Sequence, residues 1–188
     1  MRIGLLGGSF DPPHQGHVHV TTRALAGFGL DRVWWLVSPG NPLKPKEPEA
    51  MARRLRACNA LMRHPKVEVS DLEVRLGTRL TADTLAALTK RYPYARFVWV
   101  MGADNMSGFH RWDRWRRIAA QVPLGVVARP GEQLRAGLSP AARRLARHRI
   151  GASQARGLAL REAPAWALLT GPMSGHSSTK VREGGGWP

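Results

Sequence analysis

Residues 3–28 read as a buried strand, a glycine corner and a helix with almost nothing between them. The apolar run Ile3 to Leu6 leads into Gly7-Gly8-Ser9-Phe10-Asp11-Pro12-Pro13-His14-Gln15-Gly16-His17, and Val18 to Phe28 then follows helical periodicity. A strand that ends in glycines and passes at once into a helix is the opening unit of an α/β sheet. It also suits an anion. Glycine lacks the Cβ that would keep a ligand off the backbone. The first turn of the helix presents unpaired N–H groups and partial positive charge. His14 and His17, three residues apart, fall on one face of that turn.

The rest of the chain repeats the alternation. Apolar runs at Val33–Val37, Val67–Val69, Phe97–Met101, Leu124–Ala128 and Trp166–Leu169 read as strands of a buried parallel sheet. Helices are expected over Gly16–Phe28 with Gly29 as the stop, over Glu49–Met62, after Thr81 as an N-cap, over Trp112–Ala120 and over Pro140–His148. Ser177-Ser178-Thr179 reads as the cap of a last short helix, and Gly184-Gly185-Gly186 as the start of a flexible end over about 184–188. The expected fold is α/β and Rossmann-like: a mostly parallel sheet with helices on both faces, in a single domain spanning 1–188. In such folds ligands bind beyond the carboxyl ends of the strands. Gly7-Gly8, the loop from Pro39 to Lys44, Gly102-Ala103-Asp104 and Arg129 all fall at those ends.

Composition narrows the partners. The net charge of +16 calls for an anionic partner, which a small polyanion satisfies as well as a nucleic acid. Clusters such as Arg53-Arg54-Arg56 and Arg143-Arg144-Arg147 read as solvated helix faces. Aromatics are few and no nucleic-acid reader motif is present, so a basic nucleic-acid-binding module is the weaker reading. No apolar run is long enough to cross a membrane, and no signal segment opens the sequence. The single Cys58 excludes an internal disulfide, fits a reducing cytoplasm, and reads as a buried structural thiol.

Two constellations carry chemistry. His14, His17 and His19 invite a metal, but His19 falls on another side of the helix and soft ligands are lacking, so no protein-bound metal is expected. Ser177, Ser178 and Thr179 at a helix start, with Arg182 one turn on, form a second anion site. An ordinary serine cap with an exposed arginine would look the same in isolation.

The stretch Gly7 to His17 resembles the nucleotidyltransferase superfamily marked by Gly-Gly-x-Phe-Asp-Pro-x-His-x-Gly-His, with every fixed position present. The Ser-Ser-Thr-x-x-Arg pattern at Ser177 to Arg182 matches that superfamily's second motif. Pro39-Gly40-Asn41-Pro42-Leu43-Lys44, Leu80 to Leu85, Met101-Gly102-Ala103-Asp104, Arg111-Trp112 and Val127 to Gly131 are similar to segments of the bacterial nicotinate-nucleotide adenylyltransferases. The resemblance implies transfer of AMP from ATP to nicotinate mononucleotide, with Mg²⁺ arriving on ATP. It implies that His14 and His17 act at the α-phosphate, and that Gly7, Gly8, Ser9, Phe10, Lys44, Ser177, Ser178, Thr179 and Arg182 surround the phosphates. Thr81 and Trp112 would hold the nicotinate ring and carboxylate. Gly102, Asp104 and Arg129 would line the ribose side, with Asp104 facing a hydroxyl and Arg129 near phosphate. Asp113 stands where many relatives carry an aromatic, and Pro42-Leu43-Lys44 replaces a Pro-Pro-His loop. The acceptors nicotinamide mononucleotide and phosphopantetheine remain open alternatives, as does a homo-oligomer.

Overall fold

The computed structural model describes residues 1–40, 48–128 and 133–170. Among these residues six strands form one sheet: β1 (Arg2–Gly8), β2 (Arg32–Val37), β3 (Val67–Ser70), β4 (Arg96–Gly102), β5 (Leu124–Val127) and β6 (Trp166–Leu169), in the order β3-β2-β1-β4-β5-β6. Every neighbouring pair is parallel. Burial explains the apolar runs: β5 and β6 are buried at every position, and β4 at all but its first residue, because helices cover both faces.

The helices among the described residues are α1 (Gln15–Gly27), α2 (Met51–Leu61), α3 (Leu72–Arg75), α4 (Thr81–Arg91), α5 (Ala103–Gly108), α6 (Trp115–Gln121), α7 (Gln133–Gly137) and α8 (Pro140–Arg144). On one face Val20 and Ala24 of α1 and Cys58 of α2 pack with Leu6, Val33, Trp35 and Val100. On the other, Leu85 and Leu88 of α4 and Ile118 of α6 pack with Ile3, Leu5, Trp99 and Val126. Two separate apolar layers sandwich the sheet.

Several sequence expectations are corrected. Thr81 is not the cap of α4. Leu80 occupies that position in extended conformation, its carbonyl takes the first helical N–H bonds, and Thr81 is the first helical residue. The helix expected from Trp112 begins at Trp115, because Arg114 adopts φ +49 and breaks the run after a 3-10 turn over Phe109–Arg111. The helix expected over Pro140–His148 ends at Arg144 and resumes as a 3-10 turn at Ala146–His148. Arg54 is not solvated: it is 1% exposed. α3, α5, α7 and a 3-10 stretch over Ala152–Leu160 were not expected from the pattern.

The strand order fixes where a ligand can enter. β1 pairs with β2 as far as Gly8↔Val37, but with β4 only as far as Leu5↔Trp99. Past Leu5, β1 and β4 are no longer paired, although each runs three residues further. The connections from β1 run one way to β2 and β3, and those from β4 the other way to β5 and β6. This is the topological switch point, where an open α/β sheet leaves a crevice at its carboxyl ends.

Candidate active site

The glycine corner and the start of α1 stand on one side of that crevice. Both corner glycines are partly exposed, but for different reasons. A Cβ on Gly7 would sit 2.4 Å from Trp99 Cη2, so packing alone demands glycine there. Among the described residues, a Cβ on Gly8 would meet nothing nearer than the Phe10 ring at 3.4 Å. Packing among the described residues therefore does not demand glycine at position 8, whereas a ligand close to its backbone would.

Phe10 then turns the chain at φ +46, a left-handed conformation that costs a non-glycine residue about 1–2 kcal/mol. Its ring is buried and offsets the cost by stacking on Trp35 at 4.8 Å and lying against His17 at 4.6 Å. The Trp35 indole N–H donates to Thr21 Oγ1 at 2.7 Å, and the Thr21 hydroxyl donates to the His17 carbonyl at 2.8 Å. His17 is thus braced from ring and backbone alike.

His14 caps α1. The Gly16 N–H donates to His14 Nδ1 at 3.0 Å, and the His14 N–H donates to His17 Nδ1 at 3.1 Å, which completes a capping box built from two imidazoles. The ring centroids lie 3.9 Å apart. A nitrogen that accepts a hydrogen bond carries no proton, so each neutral ring holds its proton on Nε2. The backbone therefore sets both Nε2 atoms as donors at a helix N-terminus, the arrangement that anionic oxygens require.

Gly102 and Asp104 sit across the crevice, at the junction of β4 with α5; Gly102 is buried and Asp104 is exposed in the first turn. Thr81 opens α4 and is partly buried. Trp112 is also partly buried and stands edge-on to Trp99 at 6.2 Å and Phe109 at 5.5 Å, so one end belongs to the core while the rest reaches the surface. Lys44, Arg129, Ser177, Ser178, Thr179 and Arg182 lie outside the described residues.

Three features escaped the sequence reading. Arg54 lies behind the glycine corner, its guanidinium bonded to backbone carbonyls. Arg114 joins Asp83 of α4 to the corner that carries Trp112, and also holds Asp113 at 2.7 Å. Glu73, 4% exposed in α3, accepts from the Thr84 hydroxyl of α4 at 3.1 Å, and burial pushes its carboxyl up to about 7. One signal for Arg54 was available: it falls four residues before Cys58, on the buried stripe of α2.

Among the described residues no group of three or more His, Cys, Asp or Glu side chains is placed to hold a metal ion. No helix among them is long and apolar enough to cross a membrane.

Comparison with known proteins bears on the family and the fold. The model of the cytidylyltransferase-like family matches residues 5–184. A protein of Cereibacter sphaeroides named "Probable nicotinate-nucleotide adenylyltransferase" is 60% identical over 187 residues, covering 100% of this chain and 99% of its own length. One of the same name from Ruegeria pomeroyi is 58% identical over 185 residues, covering 98% of this chain and 87% of its own. Among solved structures, the Plasmodium falciparum nicotinic acid mononucleotide adenylyltransferase complexed with NaAD superposes with a TM-score of 0.72 at 18% identity, over 97% of this chain and 82% of the other. At that identity the superposition speaks for the fold.

Proposed function

The chain belongs to the cytidylyltransferase-like family, among its nicotinate-nucleotide adenylyltransferases, and from that membership we infer how its residues divide the work. The enzyme joins the phosphate of nicotinate mononucleotide to the α-phosphate of ATP, giving nicotinate adenine dinucleotide and releasing pyrophosphate. The attacking group is a phosphate monoester with a second pKa of about 6, so it is anionic at neutral pH and needs no general base. The protein's task reduces to alignment and charge neutralisation.

The observation that carries the mechanism is the imidazole capping box. His14 and His17 hold their Nε2–H groups toward phosphate oxygens and stabilise the charge that builds at the α-phosphorus. Gly8, with Gly7, Ser9 and Phe10, brings backbone to the triphosphate. Ser177, Ser178, Thr179 and Arg182, with Lys44, complete the β- and γ-phosphate side. On the acceptor side Trp112 stacks on the nicotinate ring, Thr81 meets its carboxylate, and Asp104 takes a ribose hydroxyl. Gly102 and Arg129 line the same side.

ATP arrives as its magnesium complex. With the Nδ1 atoms of His14 and His17 already engaged by backbone N–H groups, the protein offers the ion no nitrogen pair there. A divalent ion brought by ATP would be held by phosphate oxygens and water. The single buried thiol of Cys58 and the demand for ATP support a cytoplasmic setting for the reaction.

A pyrophosphate-release assay with ATP and a panel of acceptors tests this reading. Nicotinate mononucleotide should be the preferred acceptor over nicotinamide mononucleotide and phosphopantetheine. Efficient transfer to another acceptor and none to nicotinate mononucleotide would refute it.

A further inference from the structure

Arg54 is among the largest fully buried side chains of the described residues, and its guanidinium bonds to no carboxylate among them, although Asp11 lies near enough to favour its charge. Its hydrogen bonds go to three carbonyls from three separate segments. Nε donates to Glu49 O at 2.7 Å, just before α2. Nη1 donates to Ser9 O at 2.7 Å, in the corner after β1, and to Ser38 O at 2.8 Å, just past β2. Burying a charge is costly unless its hydrogen bonds are well made. An apolar side chain in the same place in α2 would carry no charge to bury, but it would leave three carbonyls without their donor. The carbonyls receiving these bonds therefore indicate what the charge is for.

The Ser9 carbonyl belongs to the peptide that enters Phe10, the residue held at φ +46. The corner is also stitched to β2 by Ser38 N–H donating to Gly8 O at 2.9 Å. Arg54 thus clamps the glycine corner at the point where its backbone is strained. The Phe10 ring carries that placement to His17, 4.6 Å away. A guanidinium meets this geometry because its donors are fixed in one plane; an ammonium on a flexible stem does not.

We propose that Arg54 is a positioning residue for adenylyl transfer: by fixing the Ser9 carbonyl it sets Phe10, and through Phe10 the imidazole of His17. The proposal rests on the reaction assigned above. Arg54 contacts no reacting atom in this scheme, so its loss should lower turnover and leave acceptor affinity nearly intact.

The test uses the full-length enzyme carrying Arg54→Lys, with circular dichroism to confirm folding. The kcat should fall about tenfold or more, the range for misplacement of a reacting group, while the KM for nicotinate mononucleotide stays within about twofold. The ¹⁵N spectrum of the His17 ring gives a readout that does not depend on turnover. The wild type should show one tautomer with the proton on Nε2, and Arg54→Lys a shifted or mixed signal. A folded Arg54→Lys enzyme with wild-type kcat and an unchanged His17 spectrum overturns the proposal. If that variant does not fold, Phe10→Leu leaves the clamp in place and removes the ring between. It should lower kcat in the same way and disturb His17, and an unaffected variant is equally fatal. A wild-type enzyme that fails to use nicotinate mononucleotide refutes the assigned reaction instead, and the His17 spectrum still decides the role of Arg54.

Discussion

Arg114 lays Nη1 and Nη2 against the two carboxylate oxygens of Asp83, at 2.9 and 2.7 Å, across 31 residues of sequence. The pair ties the first turn of α4, which carries Thr81, to the left-handed corner that follows Trp112. Those two segments supply the proposed nicotinate subsite. Each side chain of the pair is about 40% exposed, so solvent screens the attraction and the pair adds little to folding stability. Its consequence is geometric.

Asp83→Asn should therefore raise the KM for nicotinate mononucleotide about five- to tenfold, the scale of a lost positioning contact, with kcat and melting temperature near wild type. Initial rates of pyrophosphate release at saturating ATP measure it. Raising ionic strength should erode the wild-type advantage, because exposed pairs are screened. A KM that stays at the wild-type value would remove the clamp from the account of acceptor binding.

His17→Ala removes a donor aimed at developing charge and an acceptor that caps α1. Turnover should fall about 10²-fold or more, as for loss of one preorganised donor. Stability should drop by about 1 kcal/mol, as for loss of a helix cap. Urea unfolding separates the two effects, and near-wild-type turnover in the folded variant would exclude His17 from the chemistry.

The sheet was legible in the sequence because β2, β4, β5 and β6 are buried on both faces, and burial writes itself as continuous apolar runs. The glycine corner was legible because its residue types are costly to place anywhere else. Side chains that bond to distant backbone left no such trace. Arg54 lay hidden inside a run of arginines whose other members, Arg53 and Arg56, are indeed exposed. Trp112 carried an apolar signal that looked helical, but Arg114 turns left-handed to reach Asp83, and the helix starts only after it. A tertiary ion pair overrode a local pattern, and one sequence gives no view of its partner.

Gly7 and Gly8 should respond differently to alanine. The new Cβ of Gly7→Ala would press on Trp99, which is 2% exposed and has little room to move. Overpacking of this kind costs about 1–3 kcal/mol. Gly8→Ala meets only ordinary contacts, so its stability should stay within about 0.5 kcal/mol of wild type. Its KM for ATP should nonetheless rise, because the methyl group enters the space proposed for phosphate. Chemical denaturation and ATP titration of the two variants check the contrast. Equal stabilities would show that Trp99 yields.

Glu73 makes stability depend on pH in an unusual direction. Burial pushes its carboxyl from 4.5 up to about 7, against the opposing pull of the Thr84 hydroxyl. Below pH 4.5 folded and unfolded chains both hold the proton, and the group contributes no difference. Between 4.5 and 7 the unfolded chain releases its proton while the folded chain keeps it, so stability falls as pH rises. Above 7 both forms are ionised and the penalty is constant, about 3 kcal/mol from the size of the shift. Glu73→Gln keeps an amide oxygen to accept from Thr84 and carries no charge. It should match the wild type near pH 4.5 and exceed it at pH 8 by up to about 3 kcal/mol, the linked free energy of that shift. Urea midpoints for both proteins across pH 4.5 to 8 give the difference directly, free of the other titrating groups they share. Curves that run parallel over that interval would mean that Glu73 ionises in the folded protein as readily as it does in water.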